Sequence, residues 1–235
     1  MNSTFDEIAR PIWFEHDDPI YSIWVKGSSF ICADAKHFYW VTAAHVLTNT
    51  KADPQSLRIF SSDSATTTLS FDEKYTLTET DARDDYRDIF ILRVDDEEFS
   101  KCGDSALIGQ DIQDGFLDVD SLPLGSELWI VGYADDDNYV DYEQAKIKQT
   151  RSVVRAIYQG QGVSDYCHTA RVESSIKLSS FDGLSGSPVF YKRIDGGEER
   201  MVLAGMLIRG TANSLMVHFI NAAVIRRMIE LIPWA

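Results

Sequence analysis

The stretch FDGLSGSPVF, residues 181–190, sets Gly183, Ser185, Gly186, Ser187 and Pro188 directly before an apolar pair. A tight turn accounts for such residues. So does a nucleophilic hydroxyl on a loop whose backbone N–H groups meet a developing oxyanion, since glycine leaves those amides uncrowded. A serine attacks a carbonyl only when a base takes its proton, and that base needs a partner to hold its tautomer. Two upstream stretches carry the required types. His45 follows the apolar run YWVTAA, residues 39–44, and Asp88 directly precedes IFILRV, residues 89–94. Taken singly, such a histidine is more often a hydrogen-bonded structural residue, and such an aspartate more often a strand-end cap. A carboxylate entering a core is costly unless donors meet it.

The elements that must bring these residues together read mostly as short strands. Segments 21–26, 29–33, 38–42, 57–60, 67–71 and 89–94 are rich in β-branched and aromatic residues, with Gly, Asp and Ser clusters between them. A second set covers 127–133, 145–158, 167–174, 187–192, 201–208 and 214–219. ADAK at 33–36 and Ile194-Asp195-Gly196-Gly197 read as hairpin turns. Between the sets lies 109–124, poor in β-branched runs and ending near SLPLG. The last segment changes period: Ala222, Ile225, Met228 or Ile229, and Ile232 recur at helical spacing behind Asn221 as N-cap. Two strand runs, each too long for one flat sheet, predict an all-β protein of two small antiparallel barrels with a closing helix.

Together TAAH, DIFIL and GLSGSP, in the order His45, Asp88, Ser185, resemble the chymotrypsin/trypsin-like serine protease family. The resemblance covers almost the whole chain, from about Ile12 to the terminal helix. It implies two antiparallel six-stranded β-barrels of the trypsin-like type and a C-terminal α-helix, with the active site between the barrels. The first barrel would span 1–112 and carry His45 and Asp88. A linker would span 113–124, and 125–235 would form the second barrel, with Ser185, and the helix. Ser185 is then the nucleophile and His45 the base that later returns the proton. Asp88 fixes the imidazole, and the amides of Gly183 and Ser185 form the oxyanion hole. Ser187 matches a small structural residue.

The same resemblance puts the specificity-pocket floor at Ser179, followed by Ser180, and a substrate-pairing strand at Ile208, Arg209 and Gly210. Neither serine offers a counter-ion for lysine or arginine. Leu207 stands where some glutamate-specific relatives have histidine. A medium or large uncharged P1 residue is therefore expected. Two departures matter. Val46 follows His45, where secreted relatives carry a cysteine bonded to the preceding strand, and Leu184 replaces the aspartate that pairs with a newly cut N-terminus. They imply a disulfide-free enzyme that needs no N-terminal cleavage.

Composition limits the remaining possibilities. The chain has 37 acidic and 22 basic residues, a formal net charge of −15, which repels phosphate backbones and disfavours nucleic acid. No apolar run approaches the roughly 20 residues that span a bilayer. The first residues are acidic and broken by polar ones, unlike a secretory signal, so a cytoplasmic protein is expected. Cys32, Cys102 and Cys167 show no metal or disulfide spacing and read as reduced, mostly buried thiols. No metal or organic cofactor is expected. Free digestion in a cytosol would be harmful, so narrow specificity, a gated cleft or an activating partner protein is expected beside the protein or peptide substrate. A rival from another class is a catalytically silent trypsin-fold domain that binds a peptide or partner.

Other polar residues have plainer readings. His16, His37 and His218 read as surface or strand-edge residues, and His168 as structural. Asp84, Asp85 and the acidic runs 95–98 and 135–137 read as solvated loops, since they lack the ligand spacing and pivot glycine of a calcium loop. Arg209 either contacts an acidic substrate group or is solvated. Asp182 either edges the pocket or is merely exposed.

Overall fold

Alternating and fully buried apolar runs build two β-rich halves. A computed structural model describes residues 5–15, 17–20, 22–50, 53–60, 68–69, 71–76, 85–95, 107–144, 146–173 and 180–232. The N-terminal half holds β1 (Ala9–Glu15), β2 (Ile23–Ala33), β3 (Phe38–Thr42), α1 (Ala44–Thr50), β4 (Leu57–Phe60), β5 (Thr68–Leu69), β6 (Phe71–Thr76) and β7 (Phe90–Val94). Their sheet order is β5-β4-β1-β2-β3-β7-β6, and β8 (Gln110–Asp111) pairs with β2 in parallel. The second half holds β9 (Glu127–Gly132), the ribbon β10 (Tyr139–Asp141) and β11 (Lys146–Lys148), then β12 (Ser152–Gln161) and β13 (Cys167–Val172). It continues through β14 (Pro188–Asp195), β15 (Glu198–Thr211), β16 (Met216–Asn221) and α2 (Ala222–Glu230).

The second half closes into a six-stranded barrel, β12-β13-β16-β15-β14-β9. The first half is an open path: among the described residues no pairing joins β5 to β6. The protein is thus mainly β, with one closed barrel, one curved sheet and a terminal helix. Both expected hairpin turns form. Asp34 Oδ1 accepts from the Lys36 and His37 N–H groups at 2.7 and 2.8 Å. Gly196 and Gly197 take φ of +60° and +92° between β14 and β15, as a primed hairpin turn requires. Asn221 caps α2 by accepting from the Ala223 N–H at 2.9 Å.

Several boundaries differ from the sequence reading. The segments 21–26 and 29–33 are one strand, β2, which passes through Gly27 at φ +84°. The run 145–158 is two strands in different sheets. The Asn138 side chain takes the Thr150 backbone, accepting from its N–H at 2.8 Å and donating to its C=O at 3.2 Å, so no strand partner is needed there. Segment 67–71 divides into β5 and β6. The chain after His45 is helical, as α1.

One apolar cluster joins the halves. Phe30, Trp40 and Ile91 from the first sheet share it with Phe190, Leu203 and Ile220 from the barrel and with Ile225 and Ile229 of α2. A second cluster, including Val154, Ala170, Leu184 and Phe219, fills the barrel. The two halves therefore share one continuous core.

Candidate active site

Asp88 reaches its place through a short 3-10 turn, Asp85–Arg87, closed by its own N–H donating to the Asp85 carbonyl at 3.0 Å. Fully buried Ile89 anchors it from behind. Both carboxylate oxygens are engaged. Oδ1 accepts the backbone N–H of His45 at 2.8 Å, and Oδ2 lies 2.5 Å from Nδ1 of the His45 ring. These donors offset the cost of placing a carboxylate at a strand mouth. The strand-end cap and the partner of the histidine are the same residue.

Ser185 sits on a loop folded back on itself, with Leu184 N–H donating to Phe181 O at 3.1 Å and Ser187 N–H to Leu184 O at 3.0 Å. Gly183 and Gly186 adopt φ of +85° and +88°. At both, a side chain would also collide with the opposite wall: a Cβ at 183 would meet Tyr133 O at 2.5 Å, and one at 186 would meet Ser28 O at 2.0 Å. Ser28, from β2, ties this loop to the first half. Its Oγ donates to Gly183 O at 2.7 Å, and its N–H to Ser185 O at 2.9 Å. The carbonyls of 183 and 185 are thereby occupied. The N–H groups of 183 and 185 donate to nothing among the described residues.

His45, Gly183 and Ser185 line one cavity of about 310 Å³ between the halves. The Ser185 hydroxyl donates to the Ile208 carbonyl at 3.2 Å, and among the described residues it makes no hydrogen bond to His45. A larger cavity of about 880 Å³ lies elsewhere, against Phe5, Gln110, Glu198 and Arg200. It holds acids but no serine, cysteine or histidine, so the smaller cavity is the one equipped for nucleophilic chemistry.

The remaining site residues divide. Ile208, Arg209 and Gly210 line the cavity, with Phe181 facing Gly210 (3.3 Å from where a Cβ would stand). Ser180 serves the loop, its Oγ accepting the Asp182 N–H at 2.9 Å. Ser179, Asp84, His16 and Cys102 lie outside the described residues, as do 96–98 of the acidic run. Asp182 is both exposed and at the cavity wall. Sequence reasoning missed Ser28 and Phe181, neither of which carries a local signal.

Two acids expected to be solvated are instead paired. Asp135 bonds the Lys26 ammonium, and its N–H donates to Asp182 O at 2.9 Å. Asp85 takes both Nη groups of Arg209, at 2.5 and 2.7 Å, and the Ser164 hydroxyl at 2.5 Å. Arg209, read as meeting either an acidic substrate group or solvent, is exposed but forks onto Asp85, because a planar guanidinium matches a carboxylate. The Arg209 hydrogen bonds hold the Asp85 carboxyl down at about 2, against burial, which pushes it up. A carboxyl depressed on folding stabilises the fold fully above its unfolded value of about 4 and loses that contribution as pH falls through its folded value. The Tm advantage of wild type over Asp85→Asn should accordingly be flat near neutrality and vanish between about pH 4 and pH 2. Equal melting curves for both proteins at pH 6 would contradict it.

Among the described residues, His168, His218, Cys32 and Cys167 do not line the cavity of His45 and Ser185. His168 is buried, its Nδ1 lies 2.9 Å from the Tyr158 hydroxyl, and burial lowers its pKa. Asp120 Oδ1 stands 3.5 Å from its Nε2 and pulls the other way. Burial prevails because Asp120 is itself largely solvated. His218 is not at a strand edge: β16 pairs on both sides, with Thr169 and with Arg209 opposite it. Cys32 and Cys167 are free and buried, and burial pushes the Cys167 thiol up to about 11. Val46 packs onto Gly27, its Cγ1 lying 2.7 Å from where a Cβ there would stand, so apolar contact joins α1 to β2. Among the described residues no helix is long and apolar enough to cross a membrane, and no cluster of His, Cys, Asp or Glu could hold a metal. No family model matches the chain, and a search of curated proteins finds no match.

Proposed function

We propose that this protein is a serine endopeptidase of the chymotrypsin/trypsin-like kind, hydrolysing peptide bonds through His45, Asp88 and Ser185. One observation carries the reading. A histidine held by both oxygens of Asp88, one on its backbone N–H and one at ring Nδ1, shares a small cavity with Ser185, and the amides of Gly183 and Ser185 are unengaged among the described residues. The N-terminal sheet is the counterpart of the family's first barrel.

Turning the Ser185 hydroxyl from Ile208 O toward His45 Nε2 starts the reaction. Oγ bonds to the substrate carbonyl carbon, its proton passes to Nε2, and the carbonyl oxygen takes the negative charge. The amides of Gly183 and Ser185 donate to that oxyanion. Asp88, bonded at Nδ1, stabilises the imidazolium that forms. The proton then goes to the leaving amine as the C–N bond breaks, leaving an acyl-enzyme. Water, deprotonated by His45, bonds to the acyl carbon, the Oγ–C bond breaks, and His45 returns the proton to Oγ as the acid leaves. No step calls on a metal or organic cofactor. A narrow cytoplasmic processing task, with a protein substrate and a regulatory partner, fits the charge and cysteine pattern.

A binding-only domain is the second reading, favoured by one detail: the hydroxyl rests on Ile208 O. Reaction of the full chain with a fluorophosphonate, followed by mass mapping, decides between them. A single adduct on Ser185 is expected. Labelling spread over surface serines and tyrosines, with Ser185 unmodified even after peptide is added, would leave only the binding reading.

A further inference from the structure

The Asp85–Arg209 pair crosses the cleft from one wall to the other, and its two ends adjoin both parts of the proposed catalytic machinery. Asp85 opens the turn that delivers Asp88, and its carbonyl accepts the Asp88 N–H at 3.0 Å. Arg209 directly follows Ile208, whose carbonyl holds the Ser185 hydroxyl. The guanidinium forks onto both carboxylate oxygens, and Ser164 adds a third donor. A further grip comes from the ring of Tyr86, in the same turn, which meets Tyr166 edge to face with centroids 5.6 Å apart. Tyr166 takes φ of +60°, and its carbonyl accepts the Asn221 N–H at 2.9 Å, so it is held by the barrel. Ser164, Tyr166 and Arg209 all belong to the second half.

We infer that this cross-cleft strap is a positioning device: Asp85 and Arg209 set where Asp88 holds His45 relative to Ser185. The inference rests on the hydrolase reading. A forked pair fixes orientation as well as distance, which a single-point contact does not. The pair's share of stability is modest, because Arg209 is half-exposed. Placement is a separate matter, because a shift near 1 Å between reacting groups slows chemistry about 100-fold. Within the first half, α1 meets Asp88 through the His45 N–H at 2.8 Å and the Ala44 N–H at 3.3 Å, and the strap adds the tie to the second half.

The test uses the full chain with Arg209→Gln, Arg209→Lys and the exchange Asp85→Arg with Arg209→Asp. Two quantities are read: the rate of fluorophosphonate attachment at Ser185, and the proton NMR resonance of His45 Nδ1–H, assigned by its loss in His45→Ala. Arg209→Gln should slow attachment about 10- to 100-fold and shift or broaden the resonance. Arg209→Lys, which keeps charge without the fork, should recover part of both, and the exchange more. A merely structural role would lower Tm and leave the resonance in place. An unchanged rate and resonance in folded Arg209→Gln overturns the inference. Should that variant not fold, Ser164→Ala and Arg209→Lys are read the same way, and an unchanged resonance in both overturns it. If wild type never labels at Ser185, the hydrolase reading fails, while the resonance of the variants still decides the strap.

Discussion

Replacing Ser185 by alanine is expected to lower kcat/KM on any cleaved peptide by about six orders of magnitude, and His45→Ala by a similar factor. The double variant should be no worse than either, since nucleophile and base act as a unit and each is useless without the other. Folding should hardly change. Among the described residues Ser185 Oγ makes one hydrogen bond, to Ile208 O at 3.2 Å, and the other bonds that hold its loop do not use this side chain. Its loss costs no more than about 1 kcal/mol. Progress curves beside thermal melts separate the two effects. Cleavage by Ser185→Ala at the wild-type rate would sink the peptidase reading and return the protein to the binding class.

The second large effect is on the fold. Gly186→Ala should destabilise the protein by about 4 kcal/mol or more, a size reached only by a few mechanisms. Three costs combine. The backbone sits at φ +88°, which a side chain resists, and the new Cβ would stand 2.0 Å from Ser28 O and 2.5 Å from Thr42 Oγ1. Ser28 cannot yield, because its carbonyl accepts from Thr42 Oγ1 at 2.8 Å while its N–H holds Ser185 O. Gly125 is the control: φ is +84° there, with nothing within 4 Å of a Cβ. Gly125→Ala should cost only the backbone strain, about 1–2 kcal/mol. Denaturant midpoints at unchanged m-value report both. Equal losses at 186 and 125 would mean that the serine loop does not dock on Ser28.

Much of this was readable in the residues, and the exceptions have causes. Enrichment in β-branched and aromatic residues between Gly, Asp and Ser clusters placed β3, β4, β7 and the barrel strands. β1, with sequence ARPIWFE, escaped notice: six of its seven residues are buried, so no alternation shows, and Pro11 suggests a break. Pro11 is instead absorbed where the β1–β2 register slips. Gly27 hid the unity of β2 in the same way. The types and order of His45, Asp88 and Ser185 were legible because each sits in a short local stretch of sequence. The Ser28 grip on Gly183 and the Arg209 fork on Asp85 join residues 155 and 124 positions apart, and nothing local announces such pairings.

The apolar cluster shared by the two halves has a mechanical corollary. Prising the two halves apart would divide the cluster that Phe190, Leu203 and Ile220 share with Phe30 and Ile91 and expose oily surface to solvent. Hinged swallowing of a ligand, as in bilobal binding proteins, is thereby disfavoured. Any ligand of the cavity between the halves then meets walls of nearly fixed spacing, and adaptation to its shape falls to side-chain rotamers.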